Sequence, residues 1–253
     1  MWPTEVGVEV DGAGAEAFYT GLVADLYRPL KSTNFDPHRY RDLILRYGQP
    51  ALELGCGDGD PLLDLRAMGL DVDGMDSSPD MIARLQERAD HRDLPVKAWV
   101  DTMERMIVPR RYGTVFLAGP TFNLLPTDNA MRQALGSIRG ALTDGGTAIV
   151  PLFVPESVTP AVIARVTRRE TPDGWIGYRV VEVVRDDVAR TQTTTLLYER
   201  EAEGVHEQLQ RDWVLHWIDL TALTAMATQA GLRIIDAPDS IDHHVRDIVL
   251  QGT

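Results

Sequence analysis

The sequence predicts an α/β fold: a doubly wound sheet of seven mostly parallel strands, with an antiparallel β insertion and an N-terminal helical cap. Three observations predict it. The stretch Ala51-Leu-Glu-Leu-Gly-Cys-Gly-Asp-Gly-Asp60 is a short apolar run that ends in glycines at 55, 57 and 59 and leads into a helical pattern. Short apolar runs then alternate with helix-period segments up to Phe153, as expected of buried parallel strands joined by crossover helices. Finally, three long alternating stretches, Trp175–Val184, Thr191–Arg200 and Val205–Ile218, are separated by the turn-forming pairs Asp186-Asp187 and Glu203-Gly204.

Taken in order, residues 1–14 carry no period and are expected to be poorly ordered. Ala15 to Tyr47 is helical in pattern, with Phe18, Leu22, Leu26 and Leu30 four apart and breaks expected at Pro29 and at Asn34–Pro37. In the glycine stretch, Asp60 is expected to cap a helix whose first residue is Pro61. Leu70–Asp76 is the second strand, and Ser78-Pro79-Asp80 reads as N-cap, first-turn proline and first-turn acid of the next helix. Val96–Val100 and Tyr112–Pro120 supply two more strands. A helix carrying Met131, Ala134, Leu135, Ile138 and Leu142 is expected to end at Asp144-Gly-Gly146, before the strand Thr147–Phe153. A short helix is expected from Pro160 to Thr167. In the last alternating stretch Val205, Leu209, Trp213, Leu215 and Trp217 fall on one face, and His206, Gln208, Gln210, Asp212, Val214 and His216 on the other. Asp219 then caps a helix that Gly231 stops, and Leu232–Asp236 and Asp247–Gln251 close the sheet.

The glycine turn points to a nucleotide-type ligand, because backbone without Cβ atoms can approach it closely. A dinucleotide fingerprint needs glycine at its sixth position, where this chain has Asp60. Asp60, Asp58 and Glu53 would all oppose a pyrophosphate. A ligand without phosphate that carries positive charge fits better. The run Glu53-x-Gly55-x-Gly57-x-Gly59 resembles motif I of the class I S-adenosylmethionine-dependent methyltransferases. Two further landmarks agree with it: Asp76, 21 residues beyond Gly55, and Asp101 after the third strand. The resemblance covers roughly Leu52 to Val150, and its small-molecule form is similar to glycine and sugar-amine N-methyltransferases.

The resemblance implies a Rossmann-like methyltransferase fold and S-adenosylmethionine as cofactor, converted to S-adenosylhomocysteine, with no metal. It implies a cofactor site made of Glu53, Gly55, Cys56, Gly57, Gly59, Asp76, Ser77, Met81, Asp101, Thr102, Met103, Leu117, Ala118 and Gly119. Asp76 would accept from the ribose hydroxyls, Asp101 would hold the adenine amino group, and the Thr102 amide would meet the ring. The expected organisation is one domain: a helical cap (15–48), a cofactor-binding core (49–154), an insertion or lid (155–218) and the end of the core (219–253). Asn123, Tyr198 and Trp213 are candidate substrate contacts, and His216, Tyr19 and Tyr27 candidate proton acceptors. Core packing is the alternative for the two tyrosines and a surface position the alternative for His216, whose neighbours in the meander include Glu199 and Asp212.

Composition narrows the partners. The net charge of −13 disfavours nucleic acid and anionic membrane as partners, and no apolar run reaches the ~20 residues of a membrane span. The lone cysteine, Cys56, suits a reducing compartment, and the N-terminus lacks a signal-peptide pattern, so a cytoplasmic location is expected. His243-His244 lacks the partners a metal site needs. A homodimer is left open. Methyl transfer to an amine nitrogen of a small molecule is the leading expectation. The alternatives are C- or O-methylation of an aromatic or other natural-product intermediate, and a module that binds S-adenosylmethionine without transferring its methyl group.

Overall fold

The computed structural model describes residues 15–31, 35–156, 163, 166–237 and 245–253 of the chain. The N-terminal fourteen residues, most of the proposed 160–167 helix and His243-His244 lie outside them. In chain order the elements are α1 (Ala15–Phe18), α2 (Gly21–Leu30), α3 (Pro37–Tyr47), β1 (Ala51–Leu54), α4 (Leu62–Ala67), β2 (Val72–Asp76), α5 (Pro79–His91), β3 (Ala98–Val100) and β4 (Tyr112–Leu117). A 3-10 turn (Pro120–Leu124) comes next, then α6 (Asp128–Ala141), β5 (Leu142–Phe153), β6 (Val166–Thr171), β7 (Gly174–Asp186), β8 (Thr191–Ala202), β9 (Val205–His216), α7 (Leu220–Gln229), β10 (Leu232–Asp236) and β11 (Val245–Gly252).

The chain forms two compact units. The larger takes Thr33–Pro155 and His216–Thr253, the smaller Met1–Ser32 and Glu156–Leu215. The larger unit is a seven-stranded sheet in the order β10-β11-β5-β4-β1-β2-β3. Strands β1 to β5 run parallel, and β11 is antiparallel to both β5 and β10. The predicted doubly wound sheet is therefore present. Its order reverses between β1 and β4, the switch point beside which ligands of such sheets bind.

Strand alternation builds the two faces. Leu52, Leu54, Val115, Leu117, Ala148 and Val150 pack with Met131, Leu135 and Ile138 of α6 and Leu223 of α7. Ala51, Val72, Phe116 and Ile149 pack on the other face with Ile44, Leu62, Leu65 and Leu85. Helices lie this close because of glycine in the strand as well. A Cβ at Gly74 would stand 2.5 Å from Leu62 Cδ2 and 2.9 Å from Cys56 Sγ.

Several boundaries differ from expectation. Helix α2 runs through Pro29 to Leu30, since a proline one residue from the end disturbs only the final turn. Helix α4 begins at Leu62 with Pro61 in the cap position, and Asp60 makes no cap. Strand β5 starts at Leu142, not Thr147, and Asp144-Gly-Gly146 forms a bulge inside it: β4 pairs Tyr112 with Leu142 but Thr114 with Thr147. Gly145, at φ 71°, takes the left-handed turn this requires. Val166 and Thr167 belong to strand β6 rather than to a helix.

The smaller unit holds a four-stranded sheet, β6-β7-β8-β9, so the meander has one more strand than the sequence suggested. Its core is Phe18, Val23, Leu26 and Leu30 against Ile176, Leu196, Tyr198 and Leu209. Of the stripe predicted at Phe18, Leu22, Leu26 and Leu30, Leu22 is partly buried and the other three are buried, and it packs on β7–β9. Helix α3, which the sequence groups into the same cap, packs instead in the larger unit, through Tyr40 and Ile44.

Candidate active site

The parallel registers bring four strand ends to one edge. Leu54 lies opposite Met75 and Leu117, and Asp76 lies opposite Val100. The residues just beyond these positions therefore converge: the glycine turn 55–59, Ser77, Asp101–Met103 and Ala118-Gly119. Of the residues expected to hold the cofactor, Glu53, Asp76 and Leu117 lie at or near the ends of their strands and Met81 in the first turn of α5.

The turn is held from below. Gly55 and Cys56 amides donate to the Met75 carbonyl at 2.7 and 3.0 Å. Asp76 pins it from the side: its carboxylate accepts from the Gly57 amide and from the Ser78 amide, each at 2.8 Å. Burial pushes the Asp76 carboxyl above its usual range, and the Asp58 charge adds to this. The backbone donors Ser78, Gly57 and Ser77 oppose the shift. Asp58 is buried and its carboxylate lies 3.4 Å from Arg88. Glu53 is fully buried at the base of the turn.

The three glycines are not equivalent. A Cβ at Gly55 would meet Thr121 Cγ2 at 2.4 Å, and one at Gly59 would meet Leu63 Cγ at 2.9 Å. Gly57 has φ 53°, and a Cβ there would find no protein atom within 4 Å. Two glycines thus serve packing, while Gly57 faces open space with its amide turned toward Asp76. That cradle fits a ligand that must touch backbone. Asp101 ends β3 and folds the next turn, with its two carboxylate oxygens accepting from the Thr102 and Ile107 amides at 2.8 and 2.9 Å. The helix after Asp76 starts as predicted, with Ser78 accepting from Met81 and Met81 buried.

Two residues beside the end of β4 carry no signal in the sequence. A Cβ at Gly119 would stand 2.8 Å from the Phe35 ring. Tyr40 stacks on Phe116 at 5.3 Å and makes a hydrogen bond with the Gly119 backbone. Burial, with the Asp247 and Glu53 charges, pushes the Tyr40 phenol well above its usual range. Tyr40 is an ordinary aromatic residue of α3 and Phe35 lies in the break before it, so only the chain's return onto the sheet edge reveals them.

The substrate candidates divide between the units. Tyr19, Tyr27, Tyr198 and Trp213 gather in the smaller unit. Tyr19 and Tyr27 meet edge to face at 5.6 Å, and Tyr178 pairs with Tyr198 across β7 and β8 at 5.7 Å. Burial pushes the Tyr198 phenol far up, with the three other tyrosines adding to the effect, which disfavours it as a proton acceptor at neutral pH. Trp213 packs at the edge of this cluster.

Asn123 and His216 meet in the larger unit. The Asn123 amide donates to the carbonyls of Phe153 and His216, both at 2.9 Å. It thereby ties the end of β5 to the residue at which the chain re-enters this unit. His216 is 5% exposed although its place in the alternation put it on the polar face. Both Leu215 and His216 are buried, because β9 ends here and its alternation with it. His216 Nε2 lies 2.7 Å from Asp128 Oδ1, a partner that the sequence shows only as a first-turn helix acid. Asn123→Ala should take the side-chain donor from one buried and one part-buried carbonyl and cost about 1–3 kcal/mol, read as a lower melting temperature. An unchanged midpoint would show that the tie is dispensable.

Among the described residues, no three His, Cys, Asp or Glu side chains are grouped as metal ligands, and no helix is long and apolar enough to cross a membrane.

Comparison with known proteins bears on the domain and the fold. Residues 51–146 match a family model described as a methyltransferase domain. No curated protein matches the sequence. Solved structures do. The sugar N-methyltransferase KedS8 from Streptoalloteichus sp ATCC 53650 superposes with a TM-score of 0.76 at 15% identity, over 100% of this chain and 98% of its own. The methyltransferase CcbJ from Streptomyces caelestis gives 0.72 at 21%, over 94% and 99%. The amino pentose methyltransferase CalS10 from Micromonospora echinaspora, solved with S-adenosylmethionine bound, gives 0.67 at 18%, over 93% and 98%. The fold is the class I methyltransferase fold. Residues 51–146 of the chain carry a methyltransferase domain within that fold.

Proposed function

We propose that the protein methylates an amine nitrogen of a small molecule, with the residues gathered at the sheet edge holding the cofactor. The Asp76 carboxylate would meet the ribose, the Gly57 backbone the methionine portion, and the Asp101–Met103 turn the adenine. Leu117, Ala118 and Gly119 would line the path toward the reacting methyl. When bound, the cofactor supplies an electrophilic methyl group: the amine lone pair forms the new N–C bond, the C–S pair stays on sulfur, and one proton leaves the nitrogen. The chain's own tasks are to hold the amine in line at ~3–3.5 Å and to take that proton.

The observation that carries this reading is His216. It is a buried imidazole beside the turn after β4, at the carboxyl edge of the sheet, and Nδ1 has no hydrogen-bond partner among the described residues. A ring nitrogen that carries a lone pair can accept a proton, and a carboxylate 2.7 Å from the opposite nitrogen would stabilise the imidazolium formed. The strongly acidic chain favours a cationic or amine-bearing acceptor over a phosphorylated one. The likeness to structures described as sugar and amino pentose N-methyltransferases supports the same class.

Within this reading, Asn123 places the turn beside the reacting methyl. The protein acts in the cytoplasm, without nucleic acid or membrane, as a monomer or a homodimer.

The test is release of S-adenosylhomocysteine over a panel of amino sugars, amino acids, phenols and carbon acids. Turnover of amines is expected. Turnover confined to phenols or carbon acids would replace N-methylation by the O- or C-reading. His216→Gln should lower kcat on the best amine roughly ten- to a thousandfold, the usual general-base range, with cofactor affinity nearly unchanged. Parental turnover in that variant removes His216 from the chemistry.

A further inference from the structure

The surroundings of His216 point to a second residue. Among the described residues the ring has one hydrogen-bond partner, with Nε2 lying 2.7 Å from Asp128 Oδ1, and its side chain is 6% exposed against 33% for Asp128. Its backbone carbonyl is held by Asn123. Both the main chain and one ring nitrogen of His216 are therefore tied, and only Nδ1 remains without a partner among the described residues.

Asp128 is the first residue of α6, after the Thr127 cap. A carboxylate in the first turn of a helix is stabilised in its charged form by the N-terminal end of the macrodipole. An ionised carboxylate only accepts hydrogen bonds. The proton of a neutral imidazole is then placed on Nε2, and the lone pair on Nδ1. A buried nitrogen lone pair without a partner costs free energy, and such groups in native proteins call for an explanation.

We propose that Asp128 is a positioning residue for methyl transfer: it holds the Nε2–H of His216 so that Nδ1 presents the lone pair that receives the acceptor's proton. The proposal rests on the reading of His216 as proton acceptor. The proton released from the methylated nitrogen forms the Nδ1–H bond, the ring becomes imidazolium, and Asp128 keeps its negative charge while hydrogen-bonded to the opposite nitrogen. A carboxylate–imidazole pair of this kind works by fixing tautomer and orientation and by stabilising the cation once formed. A fold-holding ion pair at a helix start would show the same distance, so the test must read more than stability.

Asp128→Asn separates the two. The amide can donate to Nε2 and so turn the imidazole to the Nδ1–H form, the wrong tautomer for this task. The first measurement needs no acceptor. Two-bond 1H–15N correlation spectra of the labelled protein with S-adenosylhomocysteine would report the His216 tautomer, its signals assigned by their loss in His216→Gln. The Nε2–H form is expected in the parent and the Nδ1–H form, or a mixture, in Asp128→Asn. The second measurement is kcat on the fastest acceptor of the panel, where Asp128→Asn should lose roughly ten- to a thousandfold. Affinity for S-adenosylhomocysteine should stay within about twofold, as Asp128 opens α6 and is not among the residues assigned to the cofactor. If Asp128→Asn does not fold, Asp128→Glu decides, with the Nε2–H tautomer and near-parental kcat expected.

An Nδ1–H tautomer in the parent overturns the proposal. So does a tautomer unchanged by Asp128→Asn, or a changed tautomer with parental kcat. The nature of the fastest acceptor tests the amine reading separately, so the two can fail independently.

Discussion

Asp76→Ala is expected to lower affinity for S-adenosylmethionine by roughly 100- to 1000-fold. The carboxylate has two tasks in the structure, and the variant removes both. As ribose acceptor its loss would cost about 1.5–3 kcal/mol, the worth of hydrogen bonds to a charged group. In addition, it is the partner of the Gly57 and Ser78 amides, each 2.8 Å away. Without it, two part-buried or buried donors lose their acceptor and the glycine turn loses its lateral pin. The turn would then have to be reordered whenever ligand binds. Asp76→Asn should fall between, because an amide oxygen can keep one of the two backbone donors. Isothermal titration of both variants checks this, and parental affinity in Asp76→Ala would take Asp76 out of the cofactor site.

The second large effect belongs to Gly57→Val, which should abolish detectable cofactor binding while the protein stays folded. This glycine differs from its neighbours. At Gly55 and Gly59 a side chain would strike Thr121 or Leu63, so substitutions there damage packing first. At Gly57 a Cβ has no protein neighbour within 4 Å. The folded chain would bear only the left-handed backbone at φ 53°, about 1–2 kcal/mol for a residue with a Cβ. For a chain of this size that is a fall of roughly 2–8 °C in melting temperature. The branched side chain would nevertheless occupy the space in which the ligand meets backbone. A folded Gly57→Val protein that binds cofactor normally would mean that this turn is not the cradle.

The candidate cofactor cradle was legible in the sequence because it is local. Strand, spaced glycines and helix start are contiguous, and each residue's task comes from its own backbone: Gly57 supplies positive φ, Ser78 a cap, Asp76 the end of a strand. The parallel sheet could be read the same way, from apolar runs of strand length between helical periods. Legibility failed where two periods compete or overlap. The Asp144-Gly-Gly146 run has the chemistry of a helix stop but forms a bulge in β5, since the pairing partner that decides this lies some thirty residues earlier. The cap helices share one period, yet α2 packs on β7–β9 and α3 on the large sheet, a choice made by tertiary burial.

The remaining half depended on contacts that no spacing encodes. Asn123 could be singled out as polar among apolar neighbours, but its bridge to the Phe153 and His216 carbonyls joins residues 30 and 93 positions apart. Asp128 looks like any first-turn acid until His216, 88 residues later, is placed against it. Phe35 and Tyr40 reach Gly119 only because α3 folds back onto the sheet. Backbone geometry and capping act over a few residues, so the sequence alone determined the turn, the strands and the cofactor class. Burial of His216 and the choice of its partner are decided by packing across the whole sheet, so only the tertiary structure could assemble that pair.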